Sequence, residues 1–202
     1  MRLSIFFFLI TLSACGQQSE NHKHLINPKA GRLNDSALSI MERSRDYSKA
    51  IALLDQATEI DSNSYMAFWN KTNFQLSLNQ FDSALATAKN LTRIKPESTD
   101  YFFVDGIIYY KMGDTISSQK YFQELEKRYE KIIDTMSTSN KQYNNMLESE
   151  AVNLKIIGQQ QKGNDILKRL RDNEKDDFQK EALDSMINDS KEQILDDFSQ
   201  RK

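Results

Sequence analysis

The sequence is short of the residues from which most catalytic and metal sites are built. Of its 202 residues, one is cysteine and two are histidine. A single thiol excludes an intramolecular disulfide and a zinc site made of several thiolates. The histidines, His22 and His24, lie near the N-terminus. The two interpretations of them are a weak metal site and a pair of solvated linker residues. Beyond them no Ser-His-Asp or Cys-His group is possible, so the sequence predicts no enzyme and no cofactor.

Glycine and proline are also scarce, at six and two residues. Few turns are therefore expected, and helices should dominate. Charges nearly balance, with 27 Lys and Arg against 29 Asp and Glu. Because the chain has no basic excess to neutralise phosphates, no nucleic-acid partner is expected. Carboxylates such as Glu124, Glu126 and Glu130 stand among lysines and arginines, and we expect them on solvated helix faces.

The N-terminus has the features of an export signal. Arg2 precedes an apolar run at residues 3–12, which is too short to cross a hydrocarbon core of about 30 Å. The run leads into Leu12-Ser13-Ala14-Cys15, which resembles the lipobox of bacterial lipoproteins. The resemblance implies a signal peptide at residues 1–14 and acyl chains, palmitate among them, on Cys15. The alternative is an ordinary secretory signal followed by a free or buried thiol.

The lipobox resemblance also implies a location. An acylated Cys15 would hold the protein in the bacterial cell envelope, on the outer membrane facing the periplasm, with the inner membrane and the cell surface as the other choices. The polar stretch that follows shows no helical period. We therefore expect residues 15–30 to be the lipidated cysteine and a flexible tether.

A repeat begins after the tether. Tyr47, Phe81 and Thr115 are 34 residues apart, and so are Ala50, Ala84 and Ser118. Helix pairs of this length cannot bury an apolar face alone, so copies must stack. In spacing and residue types the segments resemble tetratricopeptide repeats. The resemblance implies an all-α fold, a short right-handed α-solenoid of helix–turn–helix repeats with a long C-terminal capping helix.

The repeat divides the chain. Residues 31–132 are expected to form three repeats, the third ending in one long helix at residues 116–137. Residues 133–202 are expected to form a divergent helix pair, with a helix at residues 141–160 and a turn at Lys162-Gly163-Asn164, and then the capping helix. The apolar stripe of that last helix, from Phe178 to Phe198, fits a cap or a dimerisation seam.

In tetratricopeptide proteins the first helix of each pair lines a groove that takes peptide or protein segments. Phe68 and Phe102 occupy core positions, and neighbouring helix residues point about 100° apart, so Trp69 and Phe103 should face the groove. The alternative is that both rings pack under a neighbouring unit or the C-terminal helix. The basic residues of a carboxylate clamp are missing, so an apolar guest is expected. The candidate partner-binding residues are Trp69, Asn73, Leu76, Phe103, Ile107 and Tyr110.

An Asp-(Ser/Thr)-apolar triplet occurs five times and resembles the acceptor of a periplasmic O-glycosylation system. Helix N-caps favour the same residues and are the alternative. The triplets begin at Asp35, Asp82, Asp114, Asp134 and Asp184.

Taken together, these features predict a lipid-anchored envelope scaffold or adaptor that binds an envelope protein or peptide segment through its groove. The alternative is a different class of protein, a structural subunit of an outer-membrane or envelope assembly complex. Such a subunit would use its convex face and C-terminal helix rather than a loaded groove.

Overall fold

A computed structural model describes residues 27–197; the lipobox with Cys15, both histidines and the last five residues lie outside this range. The described residues form ten α-helices and no strand, which confirms the predicted all-α array of helix pairs. None of these helices is both long and apolar enough to cross a membrane. Their bounds are α1 Pro28–Ser44, α2 Tyr47–Ile60, α3 Tyr65–Ser77, α4 Phe81–Ile94, α5 Thr99–Lys111, α6 Thr115–Thr135, α7 Tyr143–Ile156, α8 Gln160–Asn173, α9 Asp177–Asn188 and α10 Lys191–Asp197.

The helices keep the 34-residue period of the sequence. The second helices of three successive pairs begin at Tyr47, Phe81 and Thr115, which are 34 residues apart. The first helices α3 and α5 begin at Tyr65 and Thr99, with the same spacing. The repeat is therefore a property of the backbone as well as of the side-chain pattern.

The turn inside each pair uses one left-handed residue, two positions before the second helix. Its φ is 52° at Arg45, 56° at Asn79 and 78° at Gly113, and these residues are again 34 apart. Glycine and asparagine tolerate this conformation, whereas a long side chain is strained in it. The first pair therefore makes the same turn as the others with an unfavourable residue.

The first helix begins earlier than the sequence indicated. α1 starts at Pro28, so Gly31 lies within the helix and the predicted tether is too long at its C-terminal end. Proline suits the first turn of a helix because its missing N–H has no partner there anyway. The Asn27 side chain caps the helix by accepting from the Lys29 N–H at 2.9 Å. The Asn27 N–H bonds to Asp61 Oδ2 at 3.0 Å and so ties this start to the end of α2.

The chain divides into two compact units, and the boundary falls between Tyr121 and Phe122 inside α6. In the first unit the helices approach closely over small residues. Ser118 Oγ on α6 donates to the Gly106 carbonyl on α5 at 2.9 Å. The core of α1 to α3 consists of Ala30, Ala37, Ala50, Leu54, Ala57 and Ala67. The core of α4 and α5 includes Ala84, Leu85, Ala88 and Ile108.

The second unit contains a fourth helix pair in the same internal register, displaced by an insertion. Gly158 has a φ of 90° and stands two residues before α8, as Gly113 stands before α6. The two glycines are 45 residues apart, which is one period of 34 plus 11. The predicted turn at Lys162-Gly163-Asn164 is therefore wrong, because these residues lie in the first turns of α8.

Gly163 has a packing role in this pair. It follows Ser118 by 45 residues, and its counterpart across the pair, Ala151, follows Gly106 by the same number. A Cβ added at Gly163 would lie 2.5 Å from the Ala151 carbonyl oxygen. Glycine is required here because the two helix backbones touch.

The C-terminal region is helical, as expected, but it consists of two helices rather than one. The helical conformation is interrupted at Asp189 and Ser190, between α9 and α10. α9 packs on α8 and α10 packs on α7. The apolar residues that α9 and α10 bury are Leu183, Met186, Ile194 and Leu195.

Candidate partner-binding surface on the first helices of the repeats

Three of the candidate residues lie on one side of α3, at intervals of four and three residues. Trp69, Asn73 and Leu76 are all partly exposed. The Asn73 amide donates to the Trp69 carbonyl at 3.0 Å, so it is used within its own helix. Leu76 packs against the cluster of α4 and α5. Only part of each side chain is available to a partner.

The Trp69 ring also contacts the next repeat. Its centroid lies 5.7 Å from that of Tyr101 on α5, with the planes tilted by 44°. Phe68, the neighbour predicted to face the core, is buried. Trp69 therefore combines the two interpretations of the sequence, since one part of it packs under the following repeat and the rest faces outwards. A ring fixed in this way loses little conformational freedom on binding.

The other three candidates lie on α5 and differ in exposure. Phe103 and Tyr110 are partly exposed, and the Lys111 ammonium lies 5.3 Å from the Tyr110 ring centroid. Ile107 is buried, with 3% of its surface exposed. Because of this burial Ile107 supports the helix and offers a partner little area. We call Trp69, Asn73, Leu76, Phe103, Ile107 and Tyr110 the partner surface.

Two asparagines of α3, Asn70 and Asn73, are engaged in hydrogen bonds within the fold. Asn70 Nδ2 donates to Asn34 Oδ1 on α1 at 2.8 Å, while Asn73 is bonded within α3. Lys71, nearby on α3, is paired with Asp55 at 2.6 Å. These three polar side chains of α3 are thus engaged with α1, with α2 and within α3 itself, whereas the rings of Trp69 and Phe103 remain partly exposed.

The sequence interpretation missed a set of buried carboxylates. Asp105 on α5 is 2% exposed and receives a hydrogen bond from Thr92 at 3.3 Å on Oδ2, while Oδ1 has no hydrogen-bond partner among residues 27–197. Burial raises the pKa of the Asp105 carboxyl to about 6. A carboxylate that keeps its charge in such a place costs folding free energy.

Two acids of the second unit, Glu126 on α6 and Glu150 on α7, repeat this feature. Glu150 follows Asp105 by 45 residues, and both Glu150 and Glu126 are buried. The expectation that Glu126 lies on a solvated face is therefore wrong. Asn153 Nδ2 donates to Glu126 Oε2 at 2.8 Å. Burial raises the pKa of the Glu126 carboxyl, and burial together with the nearby Glu126 charge raises the pKa of Glu150. Among residues 27–197 no three potential metal ligands gather into a site.

The register of the fourth pair also shows which residues of α7 correspond to the partner surface. Glu148, Val152 and Lys155 follow Phe103, Ile107 and Tyr110 by 45 residues. Val152 and Lys155 are buried. Burial raises the pKa of the Glu148 carboxyl to about 7. These positions of α7 do not follow the strict 34-residue period. They follow from the alignment of the two turn glycines, Gly113 and Gly158.

The five Asp-(Ser/Thr)-apolar triplets lie at unlike places in the helices. Only Asp114 caps a helix start, where its Oδ1 accepts from the Ser117 N–H at 2.9 Å. The N-cap interpretation therefore explains one triplet rather than several. The exposed hydroxyl residues are Ser36, Ser83, Thr115 and Thr135, and Ser185 is partly exposed. Their glycosylation stays a prediction.

The array has relatives of known structure. No protein-family model matches the chain. Over 97 residues, 48% of the chain, it is 31% identical to anaphase-promoting complex subunit 3 of Schizosaccharomyces pombe, but this match spans only 15% of that protein. The TPR protein TTC0263 of Thermus thermophilus superposes with a TM-score of 0.54 at 17% identity, over 78% of this chain and 80% of that one. PilW, a type IV pilus biogenesis factor, gives 0.53 at 18% identity, over 71% and 61%. The chain therefore has the helical-repeat fold of tetratricopeptide proteins.

Proposed function

We propose that this protein is a lipid-anchored adaptor of the bacterial cell envelope that holds another protein against its partner surface. The contact between Trp69 and Tyr101 carries the proposal, because it fixes a large ring across two repeats and leaves part of that ring exposed. Large rings held in this way are the residues that contribute most to protein–protein binding. The guest would be an apolar helical or extended segment, since the surface is aromatic and aliphatic.

The anchor is proposed from the sequence. Leu12-Ser13-Ala14-Cys15 has the order of a lipobox, and the only cysteine of the chain stands where acylation requires it. Several acyl chains on one residue give stable membrane attachment, whereas a single chain gives only marginal binding. We expect Cys15→Ser to move the protein from the membrane fraction to the soluble fraction. Retention of the variant in the membrane at wild-type level would contradict the anchor.

The partner surface is tested by co-purification from cross-linked cells. We expect Trp69→Ala with Phe103→Ala to remove the proteins that wild type captures, while thermal unfolding shows that the variant is folded. The matched control is Phe178→Ala with Tyr143→Ala, which removes two aromatic rings from the second unit and should leave the captured set unchanged. An identical set for wild type and the Trp69 variant would exclude this surface as the binding site.

The structure is less favourable to the second class of function, a subunit held through its C-terminal helix. α9 and α10 bury Leu183, Met186, Ile194 and Leu195 within their own unit, and Phe178, at 45%, is the large hydrophobic side chain that their described residues leave exposed. If those helices were the docking element, deleting the residues after Lys175 would abolish capture and the Trp69 variant would not. The two experiments together therefore separate an adaptor from an assembly subunit.

A further inference from the structure

The face of α7 that corresponds to the partner surface is covered by the chain itself. Val152, Lys155 and Ile156 follow Ile107, Tyr110 and Lys111 by 45 residues. They are 6%, 1% and 0% exposed, whereas Tyr110 and Lys111 are partly open to solvent. Two C-terminal helices reach α7: α10 packs against it, and the C-terminal end of α9 is bonded to Lys155.

α10 is a short helix with one apolar side. It has seven residues, of which Ile194 and Leu195 are buried and Glu192, Gln193 and Asp196 are exposed. Helices of this length are not stable in isolation, so the packing of the two aliphatic side chains must hold it in place. A capping box preserves its start, since Ser190 N–H donates to Gln193 Oε1 at 2.7 Å and Gln193 N–H donates to Ser190 Oγ at 3.2 Å.

α9, the helix before α10, is held against α7 by a contact that does not involve α10. The Lys155 ammonium, from α7, donates to the carbonyls of Met186 and Ile187 at the end of α9, the latter at 2.9 Å. These carbonyls are among the last of their helix and have no partner within it. Lys155 therefore fixes the C-terminal end of α9, and only Asp189 and Ser190 join this fixed point to α10. A segment of two residues therefore separates α10 from an end of α9 that is bonded to α7.

We propose that α10 is a built-in occupant of the fourth repeat's binding face, displaced when a partner presents a short amphipathic helix of the same kind. The chemistry of the partner follows from that of α10, namely two adjacent large aliphatic residues followed by acidic ones, as in Ile194-Leu195-Asp196-Asp197. The proposal goes beyond the proposed function, because the face lies on α7 and needs no contact at Trp69. Either of the two proposals can therefore fail while the other holds.

The test uses the chain from Gly16 onwards and a fluorescein-labelled peptide with the sequence of residues 188–202. In the variant Ile194→Asp with Leu195→Asp, α10 should leave α7. We expect the peptide to bind this variant at least ten-fold more tightly than wild type in fluorescence anisotropy. A peptide carrying the same two changes should not bind. The matched protein control is Ile116→Asp, at a residue that is 83% exposed, and it should behave as wild type.

Equal affinity of the peptide for wild type and the opened variant would overturn the proposal, as would equal binding of the altered peptide. Hydrogen exchange on the unaltered chain tests it independently of whether the variant folds. We expect the amides of residues 194–197 to exchange at least ten-fold faster than those of residues 154–156, with α9 protected to the level of α7. Equal protection of α10 and α7 would show one cooperative unit with no displaceable segment.

Discussion

The hydroxyl of Ser118 donates a hydrogen bond of 2.9 Å to the carbonyl oxygen of Gly106, at the point where α6 crosses α5. Forty-five residues later, Gly163 meets Ala151 at the same place in the fourth pair, and there is no room even for a methyl group. One crossing is held by a polar contact and the other by direct backbone contact. Each helix pair thus depends on a small residue at one position of its second helix.

Gly163→Ala should destabilise the protein by about 1–3 kcal/mol, because the new Cβ overlaps a backbone oxygen that cannot turn away. Helix propensity alone predicts the opposite sign, a gain of about 1 kcal/mol for alanine over glycine. Urea denaturation followed by circular dichroism measures the change. A variant more stable than wild type would show that the helices separate without cost.

Arg45→Gly should stabilise the protein by about 1 kcal/mol, since it relieves a left-handed arginine at the first turn of the array. The control is Arg43→Gly, which removes the same charge two residues earlier within α1. That change should cost about 1 kcal/mol because the glycine would stand inside a helix. Thermal unfolding of the two variants should move in opposite directions, and a parallel shift would mean that the strain at Arg45 is not significant.

Asp105→Asn should raise stability at pH 7 but not at low pH. The folded pKa of about 6 lies above the unfolded value of about 3.9. The stabilising contribution of the bound proton is therefore complete below about pH 4 and is lost as the pH rises through 6. The loss is about 3 kcal/mol for a shift of this size. Asparagine keeps an acceptor for Thr92 and has no charge to bury.

Denaturation midpoints between pH 4 and pH 7 test this dependence. The gain from Asp105→Asn should grow with pH over that interval and then level off. Asp134→Asn, which removes a negative charge from the exposed end of α6, should show no such dependence. A constant difference between Asp105→Asn and wild type would exclude a raised pKa at Asp105.

Lys155→Met should destabilise the second unit by about 1–3 kcal/mol, because two carbonyls at the end of α9 lose their donor. Methionine has a similar length, so the change leaves no large cavity. Hydrogen exchange should rise in α9 and stay unchanged in α4, which lies in the other unit. The control, Lys168→Met, is at an exposed position of α8 and should be neutral. Unaltered protection of α9 would show that these carbonyls form hydrogen bonds to water instead, with no loss of stability.

The sequence predicted the parts of the fold that follow from spacing and residue type. Tyr47, Phe81 and Thr115 begin three equivalent helices because apolar and small residues recur in fixed order after each of them. The long α6 was predicted from its apolar period and from the absence of a proline at its end. The role of Trp69 in binding stays a prediction, and its contact with Tyr101 depends on how the next repeat packs.

The errors have local physical causes. Gly163 in a polar stretch is typical of a turn, and only the packing of α8 on α7 shows that it serves a helix crossing. Glu126 has charged neighbours in the sequence, yet Asn153 from α7 covers it. The break before α10 contains neither glycine nor proline. In each case the deciding contact comes from a residue distant along the chain.

The displacement of the fourth pair by eleven residues has a practical consequence. The added residues fall between two helix pairs, in the last turns of α6 and the loop before α7, and neither crossing nor turn within a pair is disturbed. The length of the chain between α6 and α7 can therefore be altered without changing the helix pairs on either side. Residues 137–140 of the loop are exposed, which makes them the natural place for an affinity tag or a fluorophore in an otherwise unmodified array.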